Sequence, residues 1–175
     1  ITLPKLLENS YQGDSKVAEL FSLLGVETSY QEDGVILTKG TPKVERMEYD
    51  FVNQPDLAQT FVVTCALLGI PFRFTGLQSL KIKETDRIEA LVKEMRKLGF
   101  VIKDSENPIL SWEGERCTRE EGAIDTYEDH RMAMAFAPAC LVMDDICINN
   151  PEVVSKSYPH YWDDLRAAGF IIEEK

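Results

Sequence analysis

The sequence predicts an α/β (α+β) fold. One unit of strand, buried helix, strand, exposed helix and hairpin is repeated and packed around the buried helices. Three observations predict it. The triplets Leu24-Gly25-Val26, Leu98-Gly99-Phe100 and Ala168-Gly169-Phe170 each end an amphipathic helix. A nearly all-apolar helical run carries Ala58, Phe61 and Cys65, and the same residue types return as Ala133, Phe136 and Cys140, each 75 positions later. Between the helices, period-two runs such as Met47-Glu48-Tyr49-Asp50-Phe51 mark half-buried strands. An ordered unit recurring at nearly one spacing signals an internal repeat. It divides a single domain, 1–175, into units of about 1–52, 53–122 and 123–175.

Taken in order, Asn9 to Asp14 form a loop that ends in a cap. A helix follows with Val17, Leu20, Phe21 and Leu24 on one face, stopped by Gly25. Val26 to Tyr30 and Val35 to Thr38 read as strands joined through Glu32-Asp33-Gly34, a hairpin signal. Asn53-Gln54-Pro55-Asp56 turns into a helix over Leu57 to Leu68 that is apolar nearly all round and so belongs in the core. Phe72 and Phe74 alternate around Arg73 in another strand. Thr85 is the expected N-cap of a helix with the stripe Ile88, Leu91, Val92, Met95 and Leu98. Phe100 to Lys103 and Ile109 to Trp112 read as a second hairpin. Ile124 to Thr126 and Ile146 to Ile148 read as short strands on either side of a buried helix, Met132 to Val142. Val153 to Pro159 leads into a last helix carrying Tyr161, Trp162 and Leu165.

Hydrophobic residues make up 44% and charged residues 28%, the balance of an ordinary globular domain. Apolar runs are broken well short of a membrane span, so no membrane partner is expected. A net charge of −11 argues against a nucleic-acid groove and makes local clusters of Lys and Arg more informative. Cys65, Cys117, Cys140 and Cys147 form no metal-ligand spacing, and Cys65 and Cys140 fall in apolar helical runs as packed thiols. A reducing, cytoplasmic setting without disulfides or metal follows. The chain opens on Ile1 rather than Met and shows no signal segment, which reads as an excised piece of a longer protein.

The candidate chemistry falls at helix starts: Asp56, then Lys83, Glu84 and Arg87, then His130 and Arg131, then Lys156. A lone charge run at a helix start is usually a solvated cap. Here the arrangement recurs, and repeats stacked alike would point several half-positive helix ends the same way. Lys83, Arg87, Arg131 and Lys156 would then form one anion-binding wall, with Arg suited to carboxylate and phosphate by its fork of donors. Asp56 and Glu84 would stand in that field as base and acid. Taken alone, Asp56 is an ordinary first-turn acid, His130 reads equally as a cap or a brace, and Lys156 reads equally as surface charge. Arg131 at the start of a buried helix opposes the dipole and calls for an anionic partner.

Lys83-Glu84-Thr85-Asp86-Arg87, Asp129-His130-Arg131-Met132-Ala133-Met134-Ala135 and Val154-Ser155-Lys156-Ser157-Tyr158-Pro159 together resemble the 5-enolpyruvylshikimate-3-phosphate synthase family, as do Asn9 to Asp14 and Pro55 to Ala58. The resemblance runs in family order along almost the whole chain. It implies two domains, each of three inverse βαβαββ repeats, closing over the substrates. This chain would be most of the C-terminal domain, with the N-terminal domain missing. It implies phosphoenolpyruvate and shikimate-3-phosphate as substrates and no cofactor. Carried over, Asp56 is the proton acceptor and a shikimate-phosphate contact, and Lys83 is a second such contact. Glu84 handles the proton at the enolpyruvyl methylene. Arg87, Arg131 and Lys156 bind phosphoenolpyruvate, and His130 supports them. Ser79 departs from the pattern: many members have Asn there, a hydroxyl replaces the amide, and that contact stays open. Two other readings stand beside this one. One is a non-catalytic anion-binding module on the same repeats. The other is a relative of UDP-N-acetylglucosamine enolpyruvyl transferase, which shares the fold but not the three motifs.

Overall fold

The computed structural model describes residues 1–6, 8, 10–82, 86–105 and 107–174. Its first layer holds β1 (Thr2–Pro4), α1 (Val17–Leu23), β2 (Val26–Gln31) and β3 (Gly34–Lys39), the strands forming an antiparallel sheet in the order β1-β3-β2. β2 and β3 pair from Val26 against Lys39 to Gln31 against Gly34, so the hairpin turns where Glu32 and Asp33 were expected to turn it. The second sheet has the order β4-β5-β7-β6, with β4 (Met47–Asp50), β5 (Phe72–Thr75), β6 (Lys103–Asp104) and β7 (Leu110–Trp112). β4 and β5 are parallel, and parallel neighbours need a crossover. That crossover is α2 (Ala58–Leu68).

α2 is the centre of the core. Ala58, Phe61, Val62, Val63, Cys65 and Ala66 are all buried, as the unbroken apolar run predicts. Phe61 packs against Phe21 and Phe51, and Phe51 meets Phe74 edge-on. Each buried phenyl ring contributes about 1.5–3 kcal/mol. α3 (Arg87–Lys97) and α4 (His130–Phe136) both pack on α2. A smaller cluster of Ala133, Ala137, Val153, Val154 and Tyr161 joins α4 to α5 (Tyr161–Ala167).

The helix stops share one geometry. Gly25, Gly99 and Gly169 have φ of 90°, 90° and 100°. After α3 and α5 the next residue bonds back five positions, Phe100 N–H to the Met95 carbonyl and Phe170 N–H to the Leu165 carbonyl, which satisfies the helix end.

Three expectations are corrected. α4 does not run on to Val142. It ends at Phe136 and continues as a 3₁₀ turn, Ala137–Leu141, leaving Leu141 and Val142 exposed. Pro138 is the reason: it has no N–H for the Met134 carbonyl, and the Tyr161 hydroxyl donates to that carbonyl instead, at 3.1 Å. The strands expected at 124–126 and 146–148 reduce to a single parallel bridge between Ile124 and Ile148. Beyond Ile124 the Asp125 N–H donates to the Glu94 carboxylate rather than to a neighbouring strand. Cys140 is half-buried rather than packed like Cys65. Among the described residues, no helix is long and apolar enough to cross a membrane.

Candidate active site

Asp56 lies in the 3₁₀ turn Pro55–Leu57 that opens α2, where Pro55 fixes the first position. The second 3₁₀ turn, Gln78–Ile82, packs against it and carries Ser79, half-buried. Lys83, Glu84 and Thr85 lie outside the described residues. The N-cap of α3 is Asp86 rather than Thr85. Its Oδ1 accepts the N–H groups of Ile88 at 3.0 Å and Glu89 at 3.1 Å, so one carboxylate oxygen serves two otherwise unpaired donors.

Arg87, the first residue of α3, turns inward and is 2% exposed. Its Nε donates to Asp129 Oδ2 at 2.5 Å and its Nη1 to Asp56 Oδ1 at 2.7 Å. Arg131, at the start of α4, donates from Nη2 to Asp56 Oδ2 at 3.1 Å and from Nη1 to the Asp56 carbonyl at 3.3 Å. It also lies 3.8 Å from Asp14. Asp56 is therefore shared, one carboxylate oxygen to each guanidinium. Two cations are gathered at the starts of two helices with their counter-ion built between them. Arg131 has the anionic partner its position against the dipole called for.

Asp129 is a residue that sequence reasoning quoted but did not assign. It is fully buried, and its two oxygens do different work. Oδ1 accepts the Arg131 N–H at 2.9 Å and caps α4; Oδ2 takes Arg87 and, at 3.4 Å, the Gln59 amide from α2. The cap was readable as an Asp three positions ahead of Met132, which opens the apolar run. The second partner was not, because Arg87 lies 42 positions away.

Tyr127 and Glu128, just before this cap, have φ of 53° and 56°. Successive left-handed non-glycine residues cost on the order of 1–3 kcal/mol each. The Glu128 carbonyl accepts the Lys156 ammonium at 2.9 Å, and His130 Nε2 lies 3.1 Å from the Ser157 hydroxyl. Lys156 thus docks beside the start of α4, although it ends a 3₁₀ turn, Pro151–Lys156, instead of starting a helix. A cleft of about 270 Å³ is lined by Thr60, His130, Arg131, Met134, Ser157 and Tyr158. A larger concavity of about 520 Å³ lies by Arg119, Glu120, Asp145 and Cys147 and shares no residue with the ion-pair cluster. Among the described residues, no group of His, Cys, Asp and Glu is placed to hold a metal ion.

The arrangement combines a carboxylate held between two guanidinium groups, a lysine beside them and an open cleft against Arg131. Such a set can bind a small dianion and accept a proton from a hydroxyl. Comparison with known proteins gives a consistent picture. A family model for EPSP synthase (3-phosphoshikimate 1-carboxyvinyltransferase) matches residues 1–165. A 3-phosphoshikimate 1-carboxyvinyltransferase of Bacteroides fragilis is 63% identical over 174 residues, 99% of this chain and 42% of the relative. One from Methanosphaerula palustris is 33% identical over 171 residues, 98% of this chain and 40% of the relative. The structure of EPSP synthase from Acinetobacter baumannii matches with a TM-score of 0.78 at 22% identity, over 98% of this chain and 42% of that one, a likeness of fold. The chain spans about 42% of the length of the Bacteroides relatives it matches. With the family match running from residue 1 to residue 165 of 175, the chain belongs to the EPSP synthase family.

Proposed function

We propose that this chain is the partial C-terminal domain of an enzyme that transfers the enolpyruvyl group of phosphoenolpyruvate to the 5-hydroxyl of shikimate-3-phosphate, releasing phosphate. The observation that carries the reading is Asp56 held between Arg87 and Arg131. Phosphoenolpyruvate brings a carboxylate and a phosphate, and Arg131 and Lys156 are the more exposed cations near the cleft. An incoming anion competes with Asp56 for Arg131. A carboxylate oxygen released in that exchange can accept the proton of the attacking hydroxyl. Arg87, buried against Asp129, anchors the other side and gives the anion a fixed positive neighbour.

In the proposed sequence an acid protonates the methylene carbon of phosphoenolpyruvate. The 5-hydroxyl oxygen adds to the cationic carbon next to it while Asp56 takes the hydroxyl proton. The tetrahedral adduct then loses phosphate, and a base removes a methyl proton to restore the double bond. Glu84 is the candidate for protonation and deprotonation and Lys83 for a shikimate-phosphate contact, both on sequence resemblance alone. Ser79 is a further candidate contact, supported by its turn packing against that of Asp56. His130 supports Lys156's neighbourhood through Ser157. The substrates and the N-terminal domain of the same protein are the proposed partners. The free thiols support a reducing compartment such as the cytoplasm.

The test is phosphate release from phosphoenolpyruvate plus shikimate-3-phosphate. Full-length protein is expected to release phosphate, and this chain alone is expected to be silent, because the second wall of the cleft is missing and effective molarity goes with it. Full-length protein that turns over neither substrate overturns the reading. Turnover by the isolated chain overturns its two-walled form.

A further inference from the structure

A buried carboxylate needs partners, and Glu94 is one that the proposed chemistry leaves without a role. It lies on α3 seven residues after Arg87, close to two full turns, so both project from one helix face. Glu94 is fully buried. Its Oε1 accepts the Tyr127 hydroxyl at 2.6 Å; its Oε2 accepts the Asp125 N–H at 3.0 Å and the Lys97 ammonium at 2.7 Å. Lys97 reaches on to the Asp125 carboxylate and the Ala123 carbonyl, and Asn149 holds the other Asp125 oxygen. α3 therefore grips the segment 123–131 at two places. At its start Arg87 binds Asp129, and two turns on Glu94 and Lys97 bind Tyr127, Asp125 and Ala123. Between the grips lie Tyr127 and Glu128 in their left-handed conformations. Non-glycine residues keep that conformation only where the surroundings over-determine it. From this turn come the carbonyl that accepts Lys156 and the cap that starts α4 beneath Arg131.

We propose that Glu94 is a positioning residue for the anion-binding groups: through Tyr127 and Asp125 it fixes the turn at 127–128, and with it the placement of Lys156 and Arg131, while touching no substrate. The identity of the anion rests on the enolpyruvyl-transfer reading. A role in stability alone explains a satisfied buried carboxylate. It does not explain why the partners are the strained Tyr127 and the residue two before it. Burial, and then the neighbouring Glu94 carboxylate, raise the Tyr127 hydroxyl well above its ordinary value of 10.0, so it stays a donor to Glu94 at neutral pH.

The test compares full-length wild type, Glu94→Gln and Tyr127→Phe, with phosphoenolpyruvate as the varied probe. Both variants are expected to raise KM for phosphoenolpyruvate roughly tenfold or more with a much smaller change in kcat, the scale of a small misplacement transmitted to a binding site. Both are also expected to speed amide hydrogen exchange selectively at residues 125–131 while the α2 amides stay as they are. Unchanged KM and exchange in Tyr127→Phe, or exchange that rises equally in α2, overturns the proposal. The milder Tyr127→Phe keeps the test decisive where Glu94→Gln does not fold. The exchange measurement needs no turnover. A wild-type protein that releases no phosphate overturns the enolpyruvyl reading, and exchange alone then decides the role of Glu94.

Discussion

Asp129 and Asp56 share Arg87, yet their surroundings differ. Asp129 is fully buried, while the Asp56 side chain is 28% exposed beside the cleft. Removing Asp129 takes from buried Arg87 its fully buried counter-charge and leaves it Asp56, which solvent partly screens, so the cost falls below that of an unpaired buried charge. Asp129→Asn is therefore expected to lower the urea midpoint by the larger amount. Its remaining oxygen can still cap α4, so the loss reports Arg87 rather than the helix. Asp56→Asn leaves Arg87 its Asp129 partner and costs less stability, while in the full-length protein kcat falls on the order of 10²-fold or more. If the two variants lose equal stability and equal turnover, the division between anchor and reactive carboxylate is wrong. At this scale the sequence exposed Asp56, Arg87 and Arg131, because charge at a helix start is a local pattern. It hid the pairing of Asp129 with Arg87 and of Glu94 with Tyr127, which span 42 and 33 positions and leave no periodic trace.

The three glycine stops allow a ranked prediction between elements. All three have φ near 90–100°, where an L side chain costs roughly 1–2 kcal/mol. The space around them differs. A Cβ at Gly25 would come within 2.6 Å of the Thr41 backbone; at Gly99 it would lie 3.0 Å from the Cys117 carbonyl oxygen; at Gly169 it would meet nothing within 4 Å. Alanine should thus destabilise most at 25, less at 99 and least at 169, read from urea midpoints. A reversed order would mean that the backbone at Thr41 and Pro42 yields freely. The stops were legible because glycine after an apolar stripe has one common use. That the strand expected at 124–126 shrinks to one bridge was not legible, because nothing in Ile124-Asp125-Thr126 announces that the Asp125 backbone donor is claimed by Glu94. The early end of α4 was legible in part through Pro138, which the apolar run around it concealed.

At the scale of the whole molecule, three of the raised groups among the described residues bear on alkaline stability, and Tyr158 and Lys97 are raised beside them. Burial pushes the Cys65 thiol from 9.0 up to about 12 and the Tyr161 hydroxyl from 10.0 up to about 12, and Tyr127 is raised in the same direction by burial and Glu94. Each folded value lies above its unfolded one, so the folded state holds these protons more tightly. Their contribution is complete below about pH 9 and is lost as pH rises through the window from 9 to about 12. The melting temperature should fall steadily over that window, and in Cys65→Ala the decline should begin nearer the tyrosine value. A flat profile to pH 11 would contradict the buried placement of these groups. The α/β class was legible from the sequence because its helices, though short, carry apolar stripes or runs and several end at glycine. The packing of α2 against both α3 and α4, which brings the site together, follows from contacts that pattern alone does not encode.

The two-point grip of α3 on the segment 123–131 also has a consequence for synthesis. A ribosome releases α3 first, and the residues that will cover Arg87 and Glu94 arrive only some 30 to 40 residues later. Until then Glu94 lacks Tyr127 and Asp125, and Arg87 has Asp56 but not Asp129. Completion of this part of the fold is expected to wait on residue 131, and a pause in translation between α3 and α4 to leave the chain open at the candidate site.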